Sequence, residues 1–127
     1  MAHFTILKKR ADFLAASRAI KSVTPSMIVQ ARDRRDGDCA TRVGYTCSKK
    51  VGGAVTRNRA KRRLRAAAHN SLGSLGRPGW DYVLIGRAKA TASMPFHILE
   101  KDLTRAIETC HANRMPRMSQ PQASERQ

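Results

Sequence analysis

KKVGGAVTRNRAKRRLR, Lys49 to Arg65, carries eight Lys or Arg in seventeen residues and no carboxylate. No Asp or Glu occurs between Cys39 and Trp80, a stretch that holds ten basic residues. A solvated helix face normally mixes charge signs, with Glu four residues from Lys or Arg. This face mixes none. A basic terminal tail is the other ordinary source of such a run, but this one lies mid-chain and continues into a good helical sequence, RAKRRLRAAAHN. The mutual repulsion calls for a partner outside the chain. A polyanion is the economical choice, and nucleic acid the first polyanion to consider.

After Gly52-Gly53 the pattern takes a helical period. At about 100° per residue, Ala60, Leu64, Ala67 and Ser71 share roughly one sixth of the circumference. Such a stripe of small residues can lie close against a sheet. Arg57, Asn58, Arg59, Lys61, Arg62, Arg63 and Arg65 sweep the remaining arc. Upstream, Arg42 to Ser48 alternates, with Val43, Tyr45 and Cys47 on one face and Gly44, Thr46 and Ser48 on the other. This predicts a strand. Downstream, Gly73, Gly76, Pro78 and Gly79 make a loop, and WDYVLIG, Trp80 to Gly86, reads as a buried strand. A helix between two strands permits parallel pairing by crossover.

Further out, Thr5 to Ile20 reads as a helix whose apolar stripe is Leu7, Ala11 and Leu14, with Phe13 beside it. Thr24 and Pro25 stop it. Ser26 to Ala31 is a short apolar strand, and Asp36-Gly37 is the pivot of a turn in Asp33 to Cys39. That turn predicts an antiparallel hairpin with Arg42 to Ser48. Pro95 opens a last helix with Ile98, Leu99, Leu103, Ala106, Ile107 and Cys110 at core spacing. The order is helix, strand, strand, helix, strand, helix. It predicts an α/β (α+β) sandwich, a small mixed sheet of three to four strands with about three helices. Residues 1–114 form one domain, and the polar, Pro-containing 115–127 read as a disordered tail.

A chain of 127 residues supports one modest core, and a net charge of +16 exceeds what solubility requires. No stretch approaches the ~18 apolar residues of a membrane span, and the first residues lack the apolar core of a secretory signal. No membrane role and a cytoplasmic location are expected. Cys39, Cys47 and Cys110 are odd in number and widely spaced, which suits reduced thiols better than a disulfide framework.

SKKVGGAVTRNRAKRRLRAA, preceded by RVGYTC and followed by GWDYVLIGRA, resembles the bacterial ribonuclease P protein component. The likeness runs from Leu7 to Ile107 and centres on Arg57-Asn58-Arg59 followed by Lys61, Arg62 and Arg65. It implies the protein subunit of a ribozyme that removes the 5′ leader of precursor tRNA. Ribonuclease P RNA would carry the catalytic magnesium ions, and the protein alone would be inactive, with one protein per catalytic RNA. The helix bearing Arg57 to Arg65 would bind that RNA. A cleft lined by the first helix and the sheet would hold the single-stranded leader. The resemblance also implies a left-handed crossover, against the usual right-handed rule.

The residue chemistry is consistent with this. Arginine suits bidentate phosphate contact and stacking. Asn58 can bond a base edge or a 2′-hydroxyl, or equally a neighbouring backbone group. Lys49 and Lys50, which could be ordinary strand-edge charges, are assigned to phosphate because they adjoin the arginine helix. Phe13 would ordinarily be core. The resemblance, in which Lys8-Lys9 is followed by Asp12-Phe13, implies that it lies in the cleft, where a single-stranded leader needs an aromatic for stacking. Relatives often carry further aromatics at the positions of Ser17 and Ala31, so Tyr45 is a candidate to take their part. Trp80 and Tyr82 are assigned to packing. The alternative is a purely structural, ribosomal-protein-like RNA binder, which would have no use for Phe13 in a basic groove. An autonomous nuclease is disfavoured: Asp33, Asp36 and Asp38 lack metal-loop spacing, and no nucleophile motif is present.

Overall fold

A computed structural model describes residues 4–112 of the chain. In order they form β1 (Thr5–Ile6), α1 (Arg10–Ser17), β2 (Ile20–Val23), β3 (Met27–Asp33), β4 (Arg42–Thr46), α2 (Ala54–Leu75), β5 (Trp80–Gly86), α3 (Ala90–Ser93) and α4 (Phe96–Ala112). A 3-10 turn, Lys49–Val51, leads into α2. The 115–127 tail lies outside the described residues.

The sheet has five strands in the order β1-β4-β5-β3-β2, one more than the upper expectation. β4 and β5 are parallel and joined through α2, as the spacing suggested. The hairpin is a correction. β3 does not pair with β4, because β5 lies between them and runs antiparallel to β3. The hairpin falls one strand earlier, between β2 and β3, and Thr24-Pro25-Ser26 is its turn rather than a helix stop. Asp36-Gly37 does turn, with Gly37 at φ +81°, but within a connection that carries the chain around the end of β5. Arg34 holds that connection. Its guanidinium donates to the carbonyls of Asp38 (3.0 Å) and Ala40 (2.8 Å) and pairs with the buried Asp81 at 2.7 Å.

The first helix is also shorter than its sequence pattern. Thr5 and Leu7 donate to the carbonyls of Thr41 (2.9 Å) and Val43 (2.8 Å), so residues before Lys9 are drawn into the sheet edge. Leu7 is buried there, while Leu14, assigned to the core stripe, is 43% exposed. Phe13 and Ala16 are the residues α1 turns to the sheet.

Alternation gives the sheet two unlike faces. Met27, Val29, Ala31, Val43, Tyr82 and Leu84 point to one side, where α2 and α4 cover them with Leu64, Ala67, Leu72, Leu99, Leu103 and Ile107. Burying each such large side chain stabilises the fold by about 1.5–3 kcal/mol before entropy is subtracted. The other face carries the small cluster of Leu7, Ala16 and Val83 with Phe13 and Ile85 against it. Eight residues of helix span only about 12 Å, and five strands spread across about 19 Å, so α1 leaves part of this face open.

Candidate nucleic-acid interface

α2 begins at Gly53, whose extended backbone caps it without a side chain, and its first turn contains no acid. It buries Ala60, Leu64, Ala67, Ala68 and Leu72 against the sheet and α4. The small-residue stripe is therefore real, with Leu72 continuing it where Ser71 was expected. Everything else on the helix is turned outward or sideways. Val55, Asn58, Lys61, Arg62 and Arg65 line one shallow depression along the outer surface. Among the described residues, the side-chain ion pairs involve Arg34, Arg35 and Arg42, and none involves α2. Asn58 makes no hydrogen bond to any described residue, which leaves its amide free for an outside partner. Val55, 84% exposed, is an apolar member of the ridge that charge-based reading misses.

The arginines divide into two groups. Arg62 and Arg65 are exposed and carry no hydrogen bond to the described protein. Arg59 and Arg63 reach sideways to the end of α3. Arg59 Nε donates to the carbonyl of Ala92 at 2.9 Å, and Arg63 donates to those of Thr91 (3.0 Å) and Met94. These carbonyls belong to a four-residue helix and to Met94, the residue that caps its end, and the helix cannot satisfy them internally. Burial and the adjacent Arg59 together hold the Arg63 guanidinium below its ordinary pKa. Arg57 is half-buried, and its Nε lacks a partner. Lys49 and Lys50 stand exposed on the 3-10 turn, where the Lys50 N–H donates to the capping Ser48 Oγ at 3.3 Å.

Phe13 is half-buried on the opposite face of the sheet. Its ring lies so close to Gly44 that a Cβ there would sit 2.6 Å from Phe13 Cζ, so the glycine is what admits the ring. Lys8 and Lys9 are exposed just ahead, at the start of α1. The first turn of α1 also carries Asp12. Around Phe13 the open face offers Ile85 and Ile28, both half-buried, and Val23, 55% exposed. The apolar half of the alternation in β2, β3 and β5 could have flagged them once their shared face was known. Asp12 and Arg42 pair at 3.4 Å, and Arg42 grips Asp81 with two nitrogens at 2.7 and 2.8 Å, which ties α1 to β4 and β5.

Two expectations for this cleft do not hold. Ala31 is fully buried toward α2 and α4, so it is not a cleft position. Tyr45 also points to the α2 side, where the Arg65 guanidinium lies 5.7 Å from its ring centre. One residue of alternation separates it from Gly44 and hence from Phe13. Ser17, exposed at the end of α1, donates its hydroxyl to the Leu14 carbonyl at 2.6 Å. Trp80 and Tyr82 are buried and stacked, as assigned to packing. No described helix is long and apolar enough to cross a membrane. Among the described residues no three His, Cys, Asp or Glu side chains converge as a metal cage.

The α/β domain thus carries an acid-free cationic helix on one side of its sheet and an aromatic in a lysine-flanked opening on the other, the surface of a nucleic-acid-binding protein. The family model named Ribonuclease P matches residues 1–111. The chain is 60% identical over 109 residues to the ribonuclease P protein component of Ruegeria pomeroyi, covering 85% of this chain and 87% of that one. It is 42% identical over 127 aligned positions to that of Paramagnetospirillum magneticum, covering 92% and 95%. Among solved structures it is similar to the RNase P protein of Thermotoga maritima (TM-score 0.65, 25% identity, 78% and 91% covered). It is also similar to a Staphylococcus aureus RNase P protein described as a mutant with defective mRNA degradation activity (TM-score 0.70, 25% identity, 84% and 87% covered). The chain belongs to the ribonuclease P protein family, and with that membership come RNA binding and a role in tRNA 5′ processing.

Proposed function

We propose that the two faces divide the work of one ribonucleoprotein. α2 docks on ribonuclease P RNA through Arg57, Asn58, Lys61, Arg62 and Arg65, with Lys49 and Lys50 at its head. The α1 side of the sheet takes the single-stranded 5′ leader of precursor tRNA, with Phe13 as stacking surface and Lys8 and Lys9 on its phosphates. One protein serves one RNA. The reading is carried by one observation: α2 bears a row of cations that no described carboxylate pairs.

Hydrolysis itself falls to the RNA and to magnesium ions held by RNA and substrate. The protein's contribution is electrostatic and positional. Neutralising about five phosphates gives a log K that falls with log salt at a slope of roughly −4. A base on an aromatic adds about 1–3 kcal/mol to leader binding.

Reconstitution with and without ribonuclease P RNA, scored by 5′ processing of a precursor tRNA, tests the division. Phe13→Ala should weaken precursor binding to the assembled complex by about tenfold or more. Mature tRNA, which has no leader, should bind as before, and assembly should survive. Equal binding of both tRNA forms by a folded Phe13→Ala variant would remove the leader from this face. The Staphylococcus aureus relative sets a sharper control. Metal-dependent RNA cleavage by this protein freed of RNA, abolished by a carboxylate substitution, would overturn the assignment of chemistry to the RNA.

A further inference from the structure

Tyr45 lies on the sheet face opposite Phe13, in a second opening. This groove runs between the edge strand β1 and α2, lined by Phe4, Ile6 and Tyr45 from the sheet side and Arg65, His69 and Asn70 from the helix. Its surface is unusual for a protein this polar. Ile6 is 50% exposed, and Phe4 and Tyr45 are each half-exposed. Arg65 lies with its guanidinium 5.7 Å from the centre of the Tyr45 ring. No carboxylate lines the groove. Glu100, outside the groove, accepts from Asn70 Nδ2 at 2.9 Å, which leaves Asn70 Oδ1 as a free acceptor. Burial pushes the Tyr45 phenol up to about 12 despite Arg65, so it carries no negative charge at neutral pH.

Arg65 also lines the outer depression formed by Val55, Asn58, Lys61 and Arg62. The cationic ridge and the aromatic groove are thus one continuous surface with Arg65 at the joint. A polynucleotide following the ridge with its phosphates reaches the groove with its next nucleotide. A flat, apolar, hydrogen-bonding group is what the groove can take.

We propose that this groove receives an unpaired base of the RNA bound along α2. The base stacks against the Arg65–Tyr45 pair, with Phe4 and Ile6 at its edge and His69 and Asn70 within reach of its polar atoms. Tyr45 is accordingly a residue of the ribonuclease P RNA contact, not of the leader cleft. The proposal rests on the reading of α2 as the RNA-docking helix.

The test is binding of the full-length protein to in vitro transcribed ribonuclease P RNA across a salt series. Stacking is insensitive to counterions, whereas a phosphate contact is not. Tyr45→Leu should therefore lower affinity by about tenfold at every salt concentration and leave the salt slope unchanged. Tyr45→Phe, which keeps the ring, should stay within about twofold of the parent by the same reasoning. Ile6→Glu, at a half-exposed position, should weaken binding by placing a carboxylate where the base enters, and it decides the matter if Tyr45→Leu fails to fold. Precursor and mature tRNA should be discriminated as before by complexes of either variant.

Folded Tyr45→Leu and Ile6→Glu proteins that bind RNA like the parent would overturn the proposal. So would a flattened salt slope in Tyr45→Leu, which would mean that Tyr45 only positions Arg65 for a phosphate. Arg62→Ala separates the two levels. If it weakens RNA binding while the groove variants do not, the base site alone is wrong. If it too has no effect, the docking role of α2 falls with it.

Discussion

α2 and α4 pack on the same face of the sheet and against each other, yet they do opposite jobs. α4, at 17 residues, buries Leu99, Leu103, Ala106, Ile107 and Cys110, and it exposes both signs of charge, with Glu100 and Glu108 beside Lys101 and Arg105. α2 is longer, at 22 residues, but three of the five it buries are alanines, and its outer surface holds one sign of charge. The shorter helix holds the fold; the longer one is held by it. The lesson is that helix length and prominence in sequence do not measure structural importance. A helix whose free surface must meet another molecule contributes little per residue to its own stability.

The largest expected effect tests that inequality directly. Leu103 is fully buried in the core, so Leu103→Ala should cost about 2–5 kcal/mol in urea unfolding. RNA affinity per folded molecule should be unchanged. The next pair sharpens the comparison within α2. Arg63→Ala leaves the Thr91 and Met94 carbonyls without a donor and should destabilise by about 1–3 kcal/mol. Arg62→Ala, one residue away but exposed and unbonded, should stay within about 0.5 kcal/mol of the parent. It should instead weaken RNA binding and flatten the salt slope by about one unit. An Arg62→Ala protein as unstable as Arg63→Ala would break the division between held and holding residues. Arg59 lies between these extremes, exposed but bonded to Ala92, so its replacement should show some of each effect.

The last effect, confined to acid pH, concerns the end of α4. The Tyr82 hydroxyl accepts from the Arg77 N–H at 2.9 Å and lies 2.7 Å from His111 Nε2, to which it donates when the imidazole is neutral and protonated on Nδ1. Burial, with the nearby Arg77, holds His111 down to about 4. The unfolded chain therefore takes up this proton near its ordinary value of 6.5 while the folded chain refuses it. Stability should be full above that value and decline as pH falls from there toward about 4, read as the urea midpoint at a series of pH values. A His111→Gln variant should lose that segment of the pH dependence, and an unchanged curve would remove His111 as its source.

How much of this was legible in the sequence depended on how local each signal was. α2, β5, α4 and the parallel crossover could be read because their periods are long and Gly or Pro marks their ends. β1 and β2 could not. Thr5 and Ile6 are extended only because Arg42 and Val43 lie alongside, and that pairing spans more than thirty residues. Leu7 and Leu14 share a helical period by coincidence, since only Leu7 is buried and it precedes the helix. The hairpin was misplaced because Asp36-Gly37 is a good turn sequence, whereas the insertion of β5 between β3 and β4 is a fact about the whole sheet. Tyr45 is the instructive case. Alternation correctly set it apart from Gly44, but nothing local told which face α1 would cover and which α2. Asp81 escaped notice as a lone acid in an apolar run, because its partners Arg34 and Arg42 are 47 and 39 positions away.

That aspartate has a consequence for how this chain tolerates change. Nine acids serve 25 basic residues, and several of the nine are fasteners rather than surface charge. Asp81 clasps two arginines, Asp12 joins α1 to Arg42, Asp36 braces Arg34, and Asp102 accepts the Ser26 N–H in the β2–β3 turn. Asp81 and Asp102 are buried, Asp12 and Asp36 are tied down nearer the surface, and the common charge is left outside to meet its partner. Variation among the cations of the α2 ridge should alter what the protein holds and leave its shape intact. Variation at these few carboxylates should loosen the shape while barely altering the overall charge. For an engineer who wants a less basic version, new acids belong on the mixed-charge surface of α4, and the aspartates already present should be left where they are.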